Sequence, residues 1–174
     1  MRPEHGGGGN RSTVSTYVLE EPPLADIKAF ITAALHAYFD ETVKPANDVN
    51  LKITQSWVNI TLPQQYHQKH THPNSLVSGV FYVSAQRDQD RLFFVKDAYE
   101  RLLIPAREFN MFSSNLWTIP VGTGDLLLFP SNLPHMVEPT ISMQNRISLS
   151  FNTFPVGLLG DHKMLAGVTV GTVK

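Results

Sequence analysis

The chain has 174 residues and a formal net charge of −1. That balance, with no basic run, gives no electrostatic footprint for nucleic acid, and no apolar stretch reaches the ~18–20 residues of a membrane span. There is no cysteine, which excludes disulfides, thiolate metal sites and cysteine nucleophiles and leaves histidine and carboxylate as the main strong metal ligands.

The N-terminus, Met1–Asn10, lacks an apolar signal core, so a cytoplasmic protein is expected. Its Gly6–Gly9 run reads as a flexible arm over residues 1–15, leaving residues 16–174 as one domain. Pro22-Pro23 leads into a helix ending at Phe39, in which Leu24, Ile27, Phe30, Ile31, Ala34, Leu35 and Tyr38 recur at helical spacing. His36 within it reads as an ordinary surface or half-buried residue.

After Asn47 the pattern turns to short β-type runs: Leu51–Leu62, Gln65–Thr71, Leu76–Val83, Arg91–Val95, Leu116–Val121, Asp125–Phe129, His135–Glu138 and Arg146–Asn152. Pro63, Pro73-Asn74, Gly122-Thr123-Gly124 and Pro130-Ser131-Asn132 break them. About eight short strands with regular turns suit an all-β sandwich, a jelly roll, with the one helix packed outside. Ala98–Asn110 has both helical and loop character, and the glycine-rich tail after Pro155 is not assigned.

The chemistry concentrates in His67-Gln68-Lys69-His70-Thr71-His72-Pro73. On an extended strand alternate side chains share a face, so His70 and His72 can converge on one metal, whereas His67 has the opposite parity and is expected to point away. On that parity Tyr66 and Gln68 join His70, while Lys69 and Lys96 read as solvated. His135 supplies a third imidazole, and three ligands leave coordination positions open, as catalytic metal sites do.

Arg146, Ser148, Ser150 and Asn152 share one face of the last strand; Ile147, Leu149 and Phe151 share the other, which is expected to pack under the helix. A buried arginine needs a partner, and a carboxylate ligand gives it charge-assisted, bidentate hydrogen bonds. Ser148 would add a hydroxyl. Asn59, Ser78 and Tyr82 are further candidates for holding such a ligand, by parity on their own strands.

The series His70-x-His72, Ser78–Val83, Gly124–Ser131, His135 and Arg146-x-Ser148 resembles the 2-oxoglutarate/Fe(II)-dependent oxygenase superfamily, most closely its small members in bacteria and marine bacteriophages. The resemblance spans about Trp57–Asn152. It implies a double-stranded β-helix, iron(II) held by His70 and His135, and 2-oxoglutarate held as cosubstrate through its far carboxylate by Arg146. The family's usual third ligand is a carboxylate two positions after the first histidine, where this chain has His72. That exchange adds one unit of positive charge to the site and favours a dianionic cosubstrate.

The resemblance implies an oxygenase oxidising a small molecule or peptide and releasing succinate and carbon dioxide. Two other readings stand beside it. A cupin-like metalloenzyme would use His70, His72 and His135 without 2-oxoglutarate. A non-catalytic jelly-roll module would use none of them. Substrate contacts are expected from the loops Ala85–Asp90 and Asp97–Asn115. No nucleic acid or membrane partner is expected; a homodimer is left open.

Overall fold

The computed structural model describes residues 1–3, 8–96, 107–110 and 113–171. Its elements in chain order are β1 (Arg2–Pro3), β2 (Arg11–Ser12), α1 (Ala25–Tyr38), β3 (Val49–Thr61), β4 (His67–His70), β5 (Val77–Ser84), β6 (Arg91–Val95), β7 (Leu116–Pro120), β8 (Leu126–Pro130), β9 (His135–Val137), β10 (Arg146–Leu159) and β11 (Val168–Val170). Two antiparallel sheets form a jelly roll, as expected. The larger runs β1-β2-β3-β10-β5-β8, with β11 joined to β10; the smaller runs β4-β9-β6-β7. No helix among the described residues is long and apolar enough to cross a membrane.

Strand β10 is the centre of the larger sheet, paired with β3 on one side and β5 on the other. Its two faces separate the molecule into two apolar clusters. Outside, Ile31 and Leu35 of α1 and Phe39 pack on Leu51, Val77, Leu149 and Phe151. This is the helix-covered face that the alternation Ile147/Leu149/Phe151 anticipates. Between the sheets, Tyr82, Leu92, Val121 and Phe129 form the second cluster, extended by Val80, Phe94, Leu127 and Val137. Helix α1 passes into a wider turn over Phe39–Val43, closed by the left-handed Lys44, whose N–H returns to the Phe39 carbonyl.

Cross-strand packing makes one glycine obligatory. Gly79 lies opposite Phe151, and a Cβ there would stand 2.2 Å from the phenyl ring. The missing side chain is the space that the ring fills.

Two expectations need correction. Strand β10 does not end at Asn152 but runs to Leu159, through Pro155. The β5 partnership stops at Asn152 and β11 joins only at Gly157, so Pro155 faces β3 alone and its missing N–H leaves no ladder gap. The N-terminal arm is docked where it is described: Arg11 and Ser12 pair with Ile60 and Asn59 of β3. The tail beyond Pro155 holds the rest of β10, a 3-10 turn over His162–Met164 and β11. Much of Ala98–Asn110 and of the Asp97–Asn115 loop lies outside the described residues.

Candidate metal centre

The histidines sit on the smaller sheet and face the larger one. His70 and His135 are direct cross-strand partners on β4 and β9. His72 lies just beyond the end of β4, where its N–H donates to the Ser131 carbonyl at 2.9 Å. That places a third imidazole beside the other two: ring centroids are 4.2 Å apart for His70–His135 and 5.0 Å for both His70–His72 and His72–His135. One potential ligand atom from each lies within 4.8 Å of the others. Two nitrogens bonded to one ion at ~2.1 Å and at right angles stand ~3 Å apart, so modest ring rotations bring all three onto one metal.

Hydrogen bonding sets which nitrogen is offered. His70 Nδ1 lies 2.7 Å from the Gln68 carbonyl, and His135 Nδ1 lies 2.9 Å from the Leu133 carbonyl. A carbonyl can only accept, so each Nδ1 carries the proton and each Nε2 keeps its lone pair for a metal. Burial, more than the neighbouring histidines, pushes His72 down to about 3 and His135 down to about 4. Both are therefore neutral ligands across the physiological range.

The Phe129–Ser131 corner holds this arrangement. Ser131 accepts from His72, its own N–H donates to the Leu76 carbonyl, and its hydroxyl donates to Ser75 Oγ. Ser78 belongs to the same network, with its Oγ 2.8 Å from both Ser131 Oγ and Asn152 Oδ1. The expectation that Ser78 touches a ligand is therefore corrected: it lies on the expected face of β5 but away from the cavity lining, and its hydroxyl is spent on the corner.

His67 is a second correction. Its ring stacks on His70, with centroids 4.2 Å apart and planes 21° from parallel, and it lines the same cavity. The register explains why. His67 pairs with Val137 and His70 with His135, with a bulge between them. One extra residue reverses parity, so His67 and His70 face inward while Gln68 and Lys69 are both exposed. Tyr66, expected beside His70, is exposed as well.

Opposite the histidines, the inner face of the larger sheet presents polar rungs. Arg146 stands opposite Thr61, and Ser148 stands between Asn59 and Tyr82. Arg146 is 4% exposed. Its Nη2 donates to Thr61 Oγ1 at 3.1 Å, while Nη1 has no partner. Asp90, equally buried, lies 3.9 Å from Nη1, beyond hydrogen-bonding distance. It is held there by the Gln86 N–H and the Thr140 hydroxyl. Burial pulls the Arg146 pKa down while Tyr82 and Asp90 pull it up; burial raises that of Tyr82. Asn59 Nδ2 donates to Ser150 Oγ at 3.2 Å, and Asn59 Oδ1 is buried without a partner.

One cavity joins these groups, lined by the four histidines together with Trp57, Asn59, Thr61, Tyr82, Arg146 and Ser148. The candidates His70, His72, His135, Arg146, Ser148, Tyr82 and Asn59 are thus brought together and Ser78 is not. Sequence reading missed Thr61, which shares the parity of Asn59, and Asp90, which sits in a turn. It also missed Asn10, which lines the cavity from the supposed arm.

Residues 55–152 match the family model described as "Putative 2OG-Fe(II) oxygenase". The chain belongs to the 2OG-Fe(II) oxygenase family. No curated protein sequence matches it, but solved structures do. An oxidoreductase of the 2OG-Fe(II) oxygenase family from Burkholderia pseudomallei is 13% identical with a TM-score of 0.58, over 83% of this chain and 65% of that one. The chain thus spans just under two thirds of that relative. HygX from Streptomyces hygroscopicus, solved with nickel, 2-oxoglutarate and hygromycin B, is 15% identical with a TM-score of 0.59, over 87% of this chain and 72% of that one. A Pseudomonas putida prolyl-4-hydroxylase is 16% identical with a TM-score of 0.53, over 83% and 71%. These likenesses fix the fold as the double-stranded β-helix.

The groups present suit what the family name implies. Neutral imidazole is a good ligand for iron(II). The unpartnered Arg146 Nη1, buried in the cavity wall, is the donor that a carboxylate would satisfy.

Proposed function

We propose that this protein is an iron(II)- and 2-oxoglutarate-dependent oxygenase that oxidises a small organic molecule and releases succinate and carbon dioxide, with residues 16–174, joined by the docked β2 segment before them, as its catalytic domain. The observation that carries the reading is one cavity with a three-imidazole cluster on one wall and a buried arginine, one nitrogen unpartnered, on the other. The likeness to HygX, solved with hygromycin B, supports a small-molecule substrate. Iron(II) chemistry suits the reducing cytoplasm of a bacterial or phage-infected cell.

His70, His72 and His135 would hold the iron, which when bound supplies oxygen activation and cosubstrate decarboxylation. The protein's own groups bind and orient. Thr61 fixes one side of the Arg146 guanidinium, so Nη1 is aimed before the cosubstrate arrives. Asp90 balances the buried charge without taking that nitrogen. Ser148 and Tyr82 place hydroxyls on the next rung. Asn59 offers an amide that a half-turn of its side chain presents as an N–H donor. Phe129 packs on His135 at 4.8 Å between ring centroids and, with Val80, Leu92 and Phe94, forms an apolar wall. Excluding water there strengthens each charged contact. Three neutral imidazoles leave the full metal charge uncompensated, which favours a dianion.

A cupin-like enzyme would use the same three histidines but gives Arg146 Nη1 no role, and a non-catalytic module gives a role to neither. The test is succinate formation from 2-oxoglutarate with iron(II) and oxygen, across a panel of small molecules. Succinate that depends on iron and disappears in His70→Ala and His135→Ala is expected. Iron binding without 2-oxoglutarate consumption would favour the cupin-like reading; no metal binding would favour the module.

A further inference from the structure

Among the described residues, three side-chain atoms are buried without a hydrogen-bond partner: Asn10 Oδ1, Asn59 Oδ1 and Arg146 Nη1. All three residues line the cavity that holds the histidines. A buried polar atom left unpaired costs about 1–3 kcal/mol, and a scatter of such atoms would be unremarkable. Their collection in one cavity marks it as a place where a polar ligand can complete them. Arg146 and Asn59 lie within the family-matched region 55–152, whereas Asn10 lies outside it.

The chain is built to deliver Asn10. Gly8 and Gly9 have φ of +76° and +84°, a conformation that L side chains rarely adopt. A Cβ on Gly8 would stand 2.0 Å from the Tyr66 carbonyl oxygen, so the backbone crosses Tyr66 at a distance only glycine permits. Gly9 then bridges to Tyr66 and the chain enters β2. There Arg11 pairs with Ile60 and Ser12 with Asn59, so one further step places Asn10 opposite Thr61. Thr61 pairs in turn with Arg146 and accepts its Nη2 hydrogen bond. Asn10, Thr61 and Arg146 therefore form one rung across three strands, and Asn10 is 2% exposed.

We propose that Asn10 is a cosubstrate-binding residue that shares the far carboxylate of 2-oxoglutarate with Arg146. This rests on the oxygenase reading above. The rung fixes the choice of ligand group: Asn10 lies at the arginine end, where the carboxylate is held. A half-turn about the Cβ–Cγ bond exchanges the amide oxygen and NH2 without changing volume, turning the unpartnered position into an N–H donor. A carboxylate accepts from several donors at once, and one guanidinium nitrogen does not saturate it. An amide adds a donor without adding charge beside Arg146. Gly8 and Gly9 thereby serve the binding site by delivering Asn10 to it.

The test is anaerobic calorimetry of 2-oxoglutarate binding to the iron(II)-loaded full chain, with 2-oxobutanoate, which lacks the far carboxylate, as the comparison ligand. Asn10→Ala should weaken 2-oxoglutarate about three- to tenfold, the range for one neutral hydrogen bond, and should leave 2-oxobutanoate unchanged. Asn10→Asp should weaken 2-oxoglutarate further, because like charges then meet; Asn10→Ser, which keeps a donor, should recover part of the loss. Iron affinity should stay the same in all three. Loss of affinity for both ligands alike would show a merely structural role and overturn the proposal, as would 2-oxoglutarate binding within twofold of wild type in Asn10→Ala and Asn10→Asp. If Arg146→Ala abolishes binding while the Asn10 variants match wild type, only the role of Asn10 falls. If the wild type itself binds no 2-oxoglutarate, the oxygenase reading falls and this proposal falls with it.

Discussion

On β10, Leu149 and Phe151 point to the outside of the larger sheet, while Arg146, Ser148 and Ser150 point to the inside, and all five are buried. The outside is closed by α1 into a cluster of apolar side chains, with Phe151 fitted over Gly79. The inside keeps an arginine, hydroxyls and amides away from water, and the unpartnered buried atoms of the described residues lie there. Folding alone selects against such atoms, since an apolar replacement of the same shape avoids their desolvation cost. One face of the strand therefore holds the fold together and the other holds what the fold is for. The contrast predicts that damage to the two faces can be separated.

Phe151→Ala breaks the outer face. Phe151 is fully buried, and its loss should lower unfolding free energy by about 3–5 kcal/mol. Urea denaturation reads the loss, and the protein that remains folded should bind 2-oxoglutarate as before. Arg146→Ala breaks the inner face. Removing one charged partner of a buried pair should weaken 2-oxoglutarate by about 2–5 kcal/mol, or roughly 30- to several-thousand-fold. Calorimetry should show iron affinity unchanged, because Arg146 is not a ligand. Equal loss of stability and of ligand binding in both variants would erase the distinction.

A subtler change sharpens the outer side. Gly79→Ala places a methyl against the Phe151 ring and should cost about 1–3 kcal/mol by overpacking. Phe151→Leu in that background should return part of the loss in a denaturation experiment. Additive costs in the double variant would mean that the glycine is not there for the ring.

On the inner side the sensitive variable is pH. Burial first, and the neighbouring charges second, hold His67 and His72 at about 3, and burial and His70 hold His135 at about 4. Unfolding returns each to about 6.5, so between roughly pH 4 and 6.5 the unfolded chain binds more protons. The stability these neutral rings contribute is complete above about pH 6.5 and is lost as pH falls toward the folded values. The metal-free protein should therefore show a falling urea midpoint from about pH 7 to about pH 5, and His72→Gln should flatten the slope by up to ~1.4 kcal/mol per pH unit, one proton's worth. An unchanged slope would mean that His72 is not held neutral by the fold.

Much of this plan is legible from spacing. The alternation along Arg146–Asn152 assigns both faces of β10, and Arg91–Val95 has the boundaries observed for β6. What escapes depends on contacts distant in sequence. Gln68-Lys69 contains no glycine or proline to announce a bulge, yet the pairing of β4 with β9 inserts one and turns His67 inward. Ser78 has the right parity but the wrong depth, because the Phe129–Ser131 corner takes its hydroxyl. The glycine run reads as a flexible linker, yet at Gly8 the absence of a side chain is the condition for close passage of Tyr66, on the way to Asn10 in the cavity. Asp90 is invisible as a partner of Arg146 because it lies in the turn before β6, far in sequence from β10.

The most direct measurement of the central claim is an anaerobic titration of the protein with iron(II), then with 2-oxoglutarate, followed in the visible spectrum. Iron alone should give no metal-to-ligand charge-transfer band, and 2-oxoglutarate should produce one. Arg146→Ala should bind iron equally well but require at least about 30-fold more 2-oxoglutarate for the same band. An iron-loaded protein that gives no band at any 2-oxoglutarate concentration would contradict the account, as would an Arg146→Ala titration that overlays the wild type.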